Sequence, residues 1–418
     1  MAGVAGARRL WFGLAGLAAF GLLGTAAALS RPDAGVLDAL PSLIGAAAGT
    51  AALTVLLSKG RDTAPGRRGF LLASAGAVGV AGLGGGLGRL LVSRRDVEAA
   101  RRGVKLPQPA SPARPIPAGA DLRVAGLSRF TTSNRDFYRV DTALVLPQVD
   151  PDDWMLRVHG MVDRPMELSF EDLLRRPMLE RDITLTCVSN EVGGPYVGNA
   201  RWLGASVRDL LREAGIQSGA DQVLSRSADG WTAGSPVETL MDGRDALLAV
   251  AMNGEALPVA HGFPARLVVP GLYGYLSATK WVVDLKVTRF ADAEGYWVKR
   301  GWADHAPIKT LSRIDVPKPL QQLRVGRNVI AGMAWAQTRG ISAVEVRIDE
   351  GPWRTAELAP VPGTDTWRQW ALEWMATAGS HTVEVRATDA TGAVQPHKRV
   401  PPIPNGATGW HSVVVTVG

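Results

Sequence analysis

The chain has 418 residues, of which 46% are hydrophobic and 20% charged. That composition excludes a disordered protein, and the length allows two or three domains. The net charge of +7 is local: residues 1–120 hold 14 Lys/Arg against 5 Asp/Glu, and the remainder holds 32 against 34, which disfavours a nucleic-acid partner and fits a membrane segment.

Three apolar runs, at about 10–29, 38–58 and 69–91, predict an anchor of three transmembrane helices over residues 1–95. Arg8 and Arg9 precede the first run, and Lys59, Arg61, Arg67 and Arg68 lie between the second and third. The positive-inside rule puts both groups in the cytoplasm and the rest of the chain on the extracytoplasmic face of a multi-pass membrane protein; Arg94, Arg95, Arg101 and Arg102 run against this. The stretch Arg67–Leu72 resembles a twin-arginine (Tat) export signal, and it also reads as an ordinary charge pair. None of the six histidines falls in these runs, so the helices cannot hold a haem by paired histidines.

Residues 96–120 are rich in Pro and Ala and read as an extended linker. An α+β region over 121–305 follows. It has expected strands at Asp153–Val162, Asp182–Cys187 and Ala265–Pro270, a helix at Ser169–Arg176 started by Ser169 with Asp172 at its third position, and a helix at Ser206–Ala214. In residues 306–418 apolar residues alternate with polar ones at Val344, Val346 and Ile348, again at Trp370, Leu372 and Trp374, and at Val413, Val415 and Val417. Asp349-Glu350-Gly351-Pro352 supplies a turn, so this region is expected to be an antiparallel, immunoglobulin-like β-sandwich with tryptophans in its core.

Cys187 is the only cysteine, so no internal disulfide exists. A lone cysteine is usually buried and inert. Here it stands where a β-rich run gives way to a Gly/Pro loop, flanked by Thr186, Ser189 and Asn190, and an exported protein needs a reason for an unpaired thiol.

The segment Thr184–Leu211, with Cys187 leading into Asn199-Ala-Arg201-Trp202, resembles the molybdenum-cofactor domain of the sulfite oxidase family. Thr131–Tyr138, Leu257–Gly274 and Ser277–Trp281 match further stretches, and the C-terminal sandwich resembles the family's dimerisation domain. The resemblance implies an oxidoreductase that transfers an oxygen atom with a molybdenum-molybdopterin cofactor, its metal bound by the Cys187 thiolate. It implies cofactor contacts at Asn134, Phe137, Tyr138, His261, Arg266, Ala278, Thr279 and Lys280, and catalytic roles for Cys187 and Tyr273. No CxxCH motif is present, so no haem is expected in this chain; electrons are expected to pass to a separate quinone- or cytochrome-linked partner, and a homodimer through the sandwich is consistent with the resemblance.

Sulfite oxidases carry arginines just after the metal-binding cysteine, whereas Glu191 and Val192 occupy that stretch here. A carboxylate near the metal would repel sulfite by about 1–4 kcal/mol. Arg201, the remaining cation nearby, reads as structural. The expected substrate is therefore a neutral S- or N-oxide. The alternatives are oxidation of a small anion, a non-catalytic extracytoplasmic binding or assembly protein that keeps the fold, and a cysteine-nucleophile hydrolase with His261 as base.

Overall fold

The computed structural model describes residues 10–29, 36–59 and 97–418. Helix α1 spans Leu10–Leu29, and α2 spans Leu40–Lys59 after a 3-10 turn at Val36–Ala39. The two pack through small residues: a methyl group on Gly21 would strike Ala46, and one on Gly24 would strike Ser42. Large apolar side chains such as Trp11, Phe20, Leu22 and Leu23 face outward. Trp11–Leu29 is long and apolar enough to cross a membrane, with a mean hydropathy of 1.8. The expected second span is the helix α2, apolar over Leu40–Thr54 among the described residues. The expected third span and the Arg67-Arg68 pair lie outside the described residues.

Residues 97–418 form one compact unit. The expected linker is not a free spacer. Ser111 exchanges backbone hydrogen bonds with Met178 and Glu180, and Arg181 donates to the Ser111 carbonyl and hydroxyl. Backbone groups of an irregular segment need partners, and an open strand edge provides them.

The body continues with β1 (Met155–Gly160), β2 (Met166–Ser169) and α3 (Phe170–Leu174). Ser169 and Asp172 close a reciprocal capping box on α3, as the sequence spacing predicts. Next come β3 (Met178–Thr186), β4 (Val197–Ser206), and α4 (Val207–Ala214) capped by the Ser206 hydroxyl. They are followed by β5 (Gln222–Ser227), β6 (Thr232–Pro236), β7 (Leu247–Met252), β8 (Glu255–Ala256), β9 (Arg266–Val268), α5 (Gly274–Ser277) and β10 (Val282–Thr288). One sheet runs β2-β1-β10-β5-β6, and a second runs β3-β4-β7-β8 with β9 paired to β7. Leu173 of α3, Leu211 of α4, Val250 of β7 and Leu285 of β10 meet in one fully buried core.

The remaining strands are β11 (Leu311–Val316), β12 (Gln322–Leu323), β13 (Gly326–Trp335), β14 (Ile341–Ile348), β15 (Arg354–Thr355), β16 (Glu357–Leu358), β17 (Arg368–Ala376), β18 (Gly379–Asp389) and β19 (His411–Val417). They make two sheets, β11-β13-β17-β16 and β12-β19-β18-β14-β15. Trp370, Val344, Val346, Val385 and Val415 pack between them, so the period-two alternation is the buried face. Asp349 and Glu350 turn the chain with φ of 52° and 58°. The expectation of core tryptophans fails at two positions. Trp353 and Trp410 are half-buried, their rings 4.9 Å apart, under the guanidinium groups of Arg347 and Arg386.

This pair of sheets also braces β3. Gln337 Nε2 donates to the Thr184 carbonyl at 3.0 Å, the Trp367 N–H donates to the Thr184 hydroxyl at 2.7 Å, and the Thr184 N–H donates to the Asp365 carbonyl at 2.9 Å. The strand that delivers Cys187 is thus held from both sides.

Candidate active site

Cys187 follows β3 directly. Its N–H donates to the Tyr196 carbonyl at 2.9 Å, continuing the β3–β4 ladder by one rung. The chain then turns: the Asn190 N–H donates to the Cys187 carbonyl, and the Tyr196 N–H donates to Asn190 Oδ1 at 2.7 Å. Arg313 of β11 donates to the Gly194 carbonyl at 2.8 Å. Cys187 Sγ lies 2.9 Å from the Ser189 hydroxyl. Burial pushes the thiol pKa up, and the Ser189 contacts pull only partly the other way.

The thiol opens into a cavity of about 280 Å³ that Phe137, Tyr138, His261, Arg266, Ala278 and Lys280 also line. Seven of the expected site residues, from four separate stretches of chain, therefore meet around one space. Phe137 and Tyr138 stack at 5.2 Å, and Phe137 meets the His261 ring edge-on at 5.7 Å. Burial raises the Tyr138 hydroxyl pKa well above its usual value, so it stays protonated. His261 Nε2 sits 2.9 Å from the Asn134 carbonyl, which only accepts, so that nitrogen carries the proton. Burial first, and Arg266 second, lower the His261 pKa to about 4, leaving a neutral ring at pH 7.

Arg266 is the unusual cation. It starts β9, is 5% exposed, and donates to the carbonyls of His261 (3.1 Å), Ala278 (3.3 Å) and Leu267 (3.4 Å). Its guanidinium lies 5.1 Å from the Trp202 ring centre. Among the described residues no carboxylate pairs with it, and burial lowers its pKa to about 10. A buried charge without a counter-charge is costly unless a ligand supplies one. Lys280 differs: its Nζ is 2.6 Å from Asp141, which also pairs with Arg139 at 2.7 Å. Burial pulls Lys280 down to about 8 against the attraction of Asp141, so it remains an ammonium at neutral pH. Burial opposes the charge on Asp141, but bonds from Arg139 and Lys280 outweigh it and hold the carboxylate ionised. The hydroxyl of Ser227, also in the lining, is buried with no hydrogen-bond partner.

Three expected residues are placed elsewhere. The Asn134 side chain donates to Met252 O and Glu255 Oε1 and accepts from Asn253, so only its carbonyl reaches the site through His261. Thr279 is fully buried, with its hydroxyl 2.6 Å from Ser225 Oγ. Tyr273 does not line the cavity; its hydroxyl faces the Lys309 N–H and the Gly406 loop, and Tyr275, two residues on, takes the wall position. Glu191 also falls outside. It is exposed and absent from the lining, so it gives no reason to reject an anion. Arg201 pairs with Asp182 at 2.7 Å and is structural, as expected. The Arg139–Asp141 pair and Ser227 were not legible in the sequence, because no motif marks them.

The description "Oxidoreductase molybdopterin binding domain" matches residues 143–297. Sulfite oxidase of Gallus gallus is 30% identical over 336 residues, covering 68% of this chain and 72% of that protein. This chain belongs to the sulfite oxidase family. It is an oxidoreductase, and the family's cofactor is molybdenum-molybdopterin. Mitochondrial sulfite oxidase of Homo sapiens is also 30% identical, over 66% of this chain and 59% of that protein. Among solved structures, the sulfane dehydrogenase SoxCD of Paracoccus pantotrophus aligns with a TM-score of 0.56 and 27% identity, over 65% of this chain and 80% of that one.

The lining suits the family's cofactor. Among the described residues no cluster of three His, Cys, Asp or Glu could hold a bare metal ion, so a metal at Cys187 must bring most of its own ligands. The uncompensated guanidinium and the unpartnered hydroxyl match an anionic, polar group.

Proposed function

We propose that Cys187 is the one protein ligand of the molybdenum, and that the enzyme transfers an oxygen atom on a neutral S- or N-oxide. The carrying observation is that the Cys187 thiol and the carboxylate-free guanidinium of Arg266 open into the same cavity. The bound cofactor supplies the two-electron change that accompanies oxygen transfer. Cys187, whose thiol proton burial otherwise retains, would hold the metal as a thiolate, and the Ser189 hydroxyl keeps Sγ oriented. Phe137 and Tyr138 offer ring faces to the pterin. His261 presents the lone pair of its Nδ1 as an acceptor. Arg266 and Lys280 hold the phosphate, with the backbone around Ala278 beside them. Asn134 supports His261 through its carbonyl, and Thr279, between Ala278 and Lys280, is anchored on Ser225.

The neutral substrate follows from the charges. Lys280 and Arg139 share Asp141, and Arg266 is reserved for the cofactor, so among the described residues the lining leaves no cation free for a small anion. A second reading, oxidation of a small anion such as sulfite, is favoured by the identity to Gallus gallus sulfite oxidase.

We read α1 as part of a membrane anchor, supported by its outward apolar side chains, with the catalytic body of residues 121–305 on the extracytoplasmic face. We read residues 306–418 as an immunoglobulin-like module of the dimerisation type. We read a separate quinone- or cytochrome-linked electron carrier as its redox partner.

Protein purified from a host that makes the cofactor should contain molybdenum and reduce dimethyl sulfoxide or trimethylamine N-oxide with reduced viologen. Absence of molybdenum overturns the reading. Rapid sulfite oxidation without oxide reduction replaces it with the second.

A further inference from the structure

One wall of the cavity is aromatic and has no part in holding the cofactor as assigned above. Its rings come from three segments: Trp231 from the β5–β6 hairpin, Tyr275 from α5, and Trp297 and Trp302 from the turn around Val298–Arg300. Tyr275 and Trp302 have ring centres 5.8 Å apart at 51°, and Trp302 and Trp297 are 6.4 Å apart at 75°. These are tilted and edge-on arrangements that leave ring faces unmatched within the set.

The rings are held in place. The Tyr275 hydroxyl donates to the Ala303 carbonyl, beside Trp302. The Tyr296 N–H donates to the Thr232 carbonyl at 3.0 Å, tying the turn to the hairpin, and the Trp302 N–H donates to the Trp297 carbonyl at 3.2 Å. Asp229 Oδ1 accepts from the Trp231 N–H at 3.2 Å and fixes the hairpin tip. A surface ordered in advance loses little entropy on binding. An inorganic oxyanion gains almost nothing from ring faces, whereas a flat apolar substituent gains contact on each of them.

We propose that Trp231, Tyr275, Trp297 and Trp302 form a substituent pocket that selects an organic oxide bearing an aryl-sized apolar group over small oxides and oxyanions. This rests on the oxygen-transfer reading above and names the substrate class for that site.

The test uses the full-length, cofactor-loaded protein. Methyl phenyl sulfoxide takes two electrons and two protons; its S–O bond breaks, giving methyl phenyl sulfide and water. Reduced methyl viologen supplies one electron per molecule. The pocket predicts a kcat/KM at least ~tenfold above that for dimethyl sulfoxide, and a loss of about tenfold in that ratio for Trp302→Ala. Trp302→Phe should restore most of the ratio and guards against a folding defect. In a second arm, methyl phenyl sulfone, which is not turned over, is titrated by quenching of tryptophan fluorescence; Trp302→Ala should weaken its binding by about tenfold. Equal efficiencies for the two sulfoxides, or a ratio unchanged in Trp302→Ala, overturn the pocket. Sulfone binding that weakens in the variant without any sulfoxide turnover upholds the pocket and overturns the oxide chemistry.

Discussion

Replacing Arg266 with methionine should be nearly neutral without the cofactor and damaging with it. Burial takes the Arg266 pKa from 12.5 to about 10. At ~1.36 kcal/mol per unit, that is on the order of 3 kcal/mol held against the charged form. In cofactor-free protein, methionine removes this penalty and keeps the cover over Trp202. It also deletes three hydrogen bonds to carbonyls, which at 3.1–3.4 Å are longer than strong charge-assisted bonds and contribute about 1 kcal/mol each. The two effects offset, so the cofactor-free variant should melt within ~4 °C of wild type. In loaded protein the same change removes charge-assisted hydrogen bonds to phosphate, each contributing about 1.5–3 kcal/mol. Two such bonds amount to roughly a hundredfold or more in cofactor retention. The assays are molybdenum per polypeptide by plasma mass spectrometry, pterin fluorescence after release, and calorimetry of both forms. Wild-type molybdenum content in the variant, or a large drop in the melting temperature of the cofactor-free form, would refute the reasoning.

Three other changes follow from the geometry. Asp141→Asn removes the counter-charge shared by Lys280 and Arg139 and should cost about 3 kcal/mol in chemical denaturation; an unchanged midpoint would show that the pair is well solvated. His261 and His411 are both drawn down to about 4, chiefly by burial, so they are neutral when folded at pH 7. The unfolded chain takes up these protons near pH 6.5, so stability should fall as pH drops from about 6.5 to 4, by up to ~3 kcal/mol per ring. His411→Asn, which keeps an acceptor for the Ile314 N–H, should make that fall shallower; a flat profile between pH 7 and 4.5 contradicts the assignment. Gly193 has φ of 81° and packs against the His411 ring, so Gly193→Ala should lower the melting temperature and loosen the Cys187 turn, read as faster alkylation of Cys187 in cofactor-free protein.

What was legible in the sequence was local or periodic. The Ser169–Asp172 box, the helix that begins at Ser206 and the alternation in β14, β17 and β19 depend on neighbours a few residues apart. The gathering of Phe137, Tyr138, Cys187, His261, Arg266, Ala278 and Lys280 was legible through family motifs rather than through periodicity. What was not legible depends on direction and on distant partners. Tyr273 lies in a family stretch and Tyr275 just beyond it, and only the backbone turn into α5 decides which ring faces the cavity. Glu191 is four residues from Cys187 in sequence, and the turn held by Asn190 and Arg313 leaves it exposed outside the cavity. Asp141 meets Lys280 across 139 residues of chain, a pairing no local pattern announces. The segment at 103–120 has a spacer's composition, yet it finds hydrogen-bond partners on β3.

The central claim is that the sulfur of Cys187 binds molybdenum. X-ray absorption at the molybdenum edge on wild type and Cys187→Ser, each loaded with cofactor, tests it directly. Cys187→Ser should show one fewer sulfur neighbour at the metal, with the fold intact by circular dichroism and oxygen transfer lost. The same sulfur count in both proteins would contradict it.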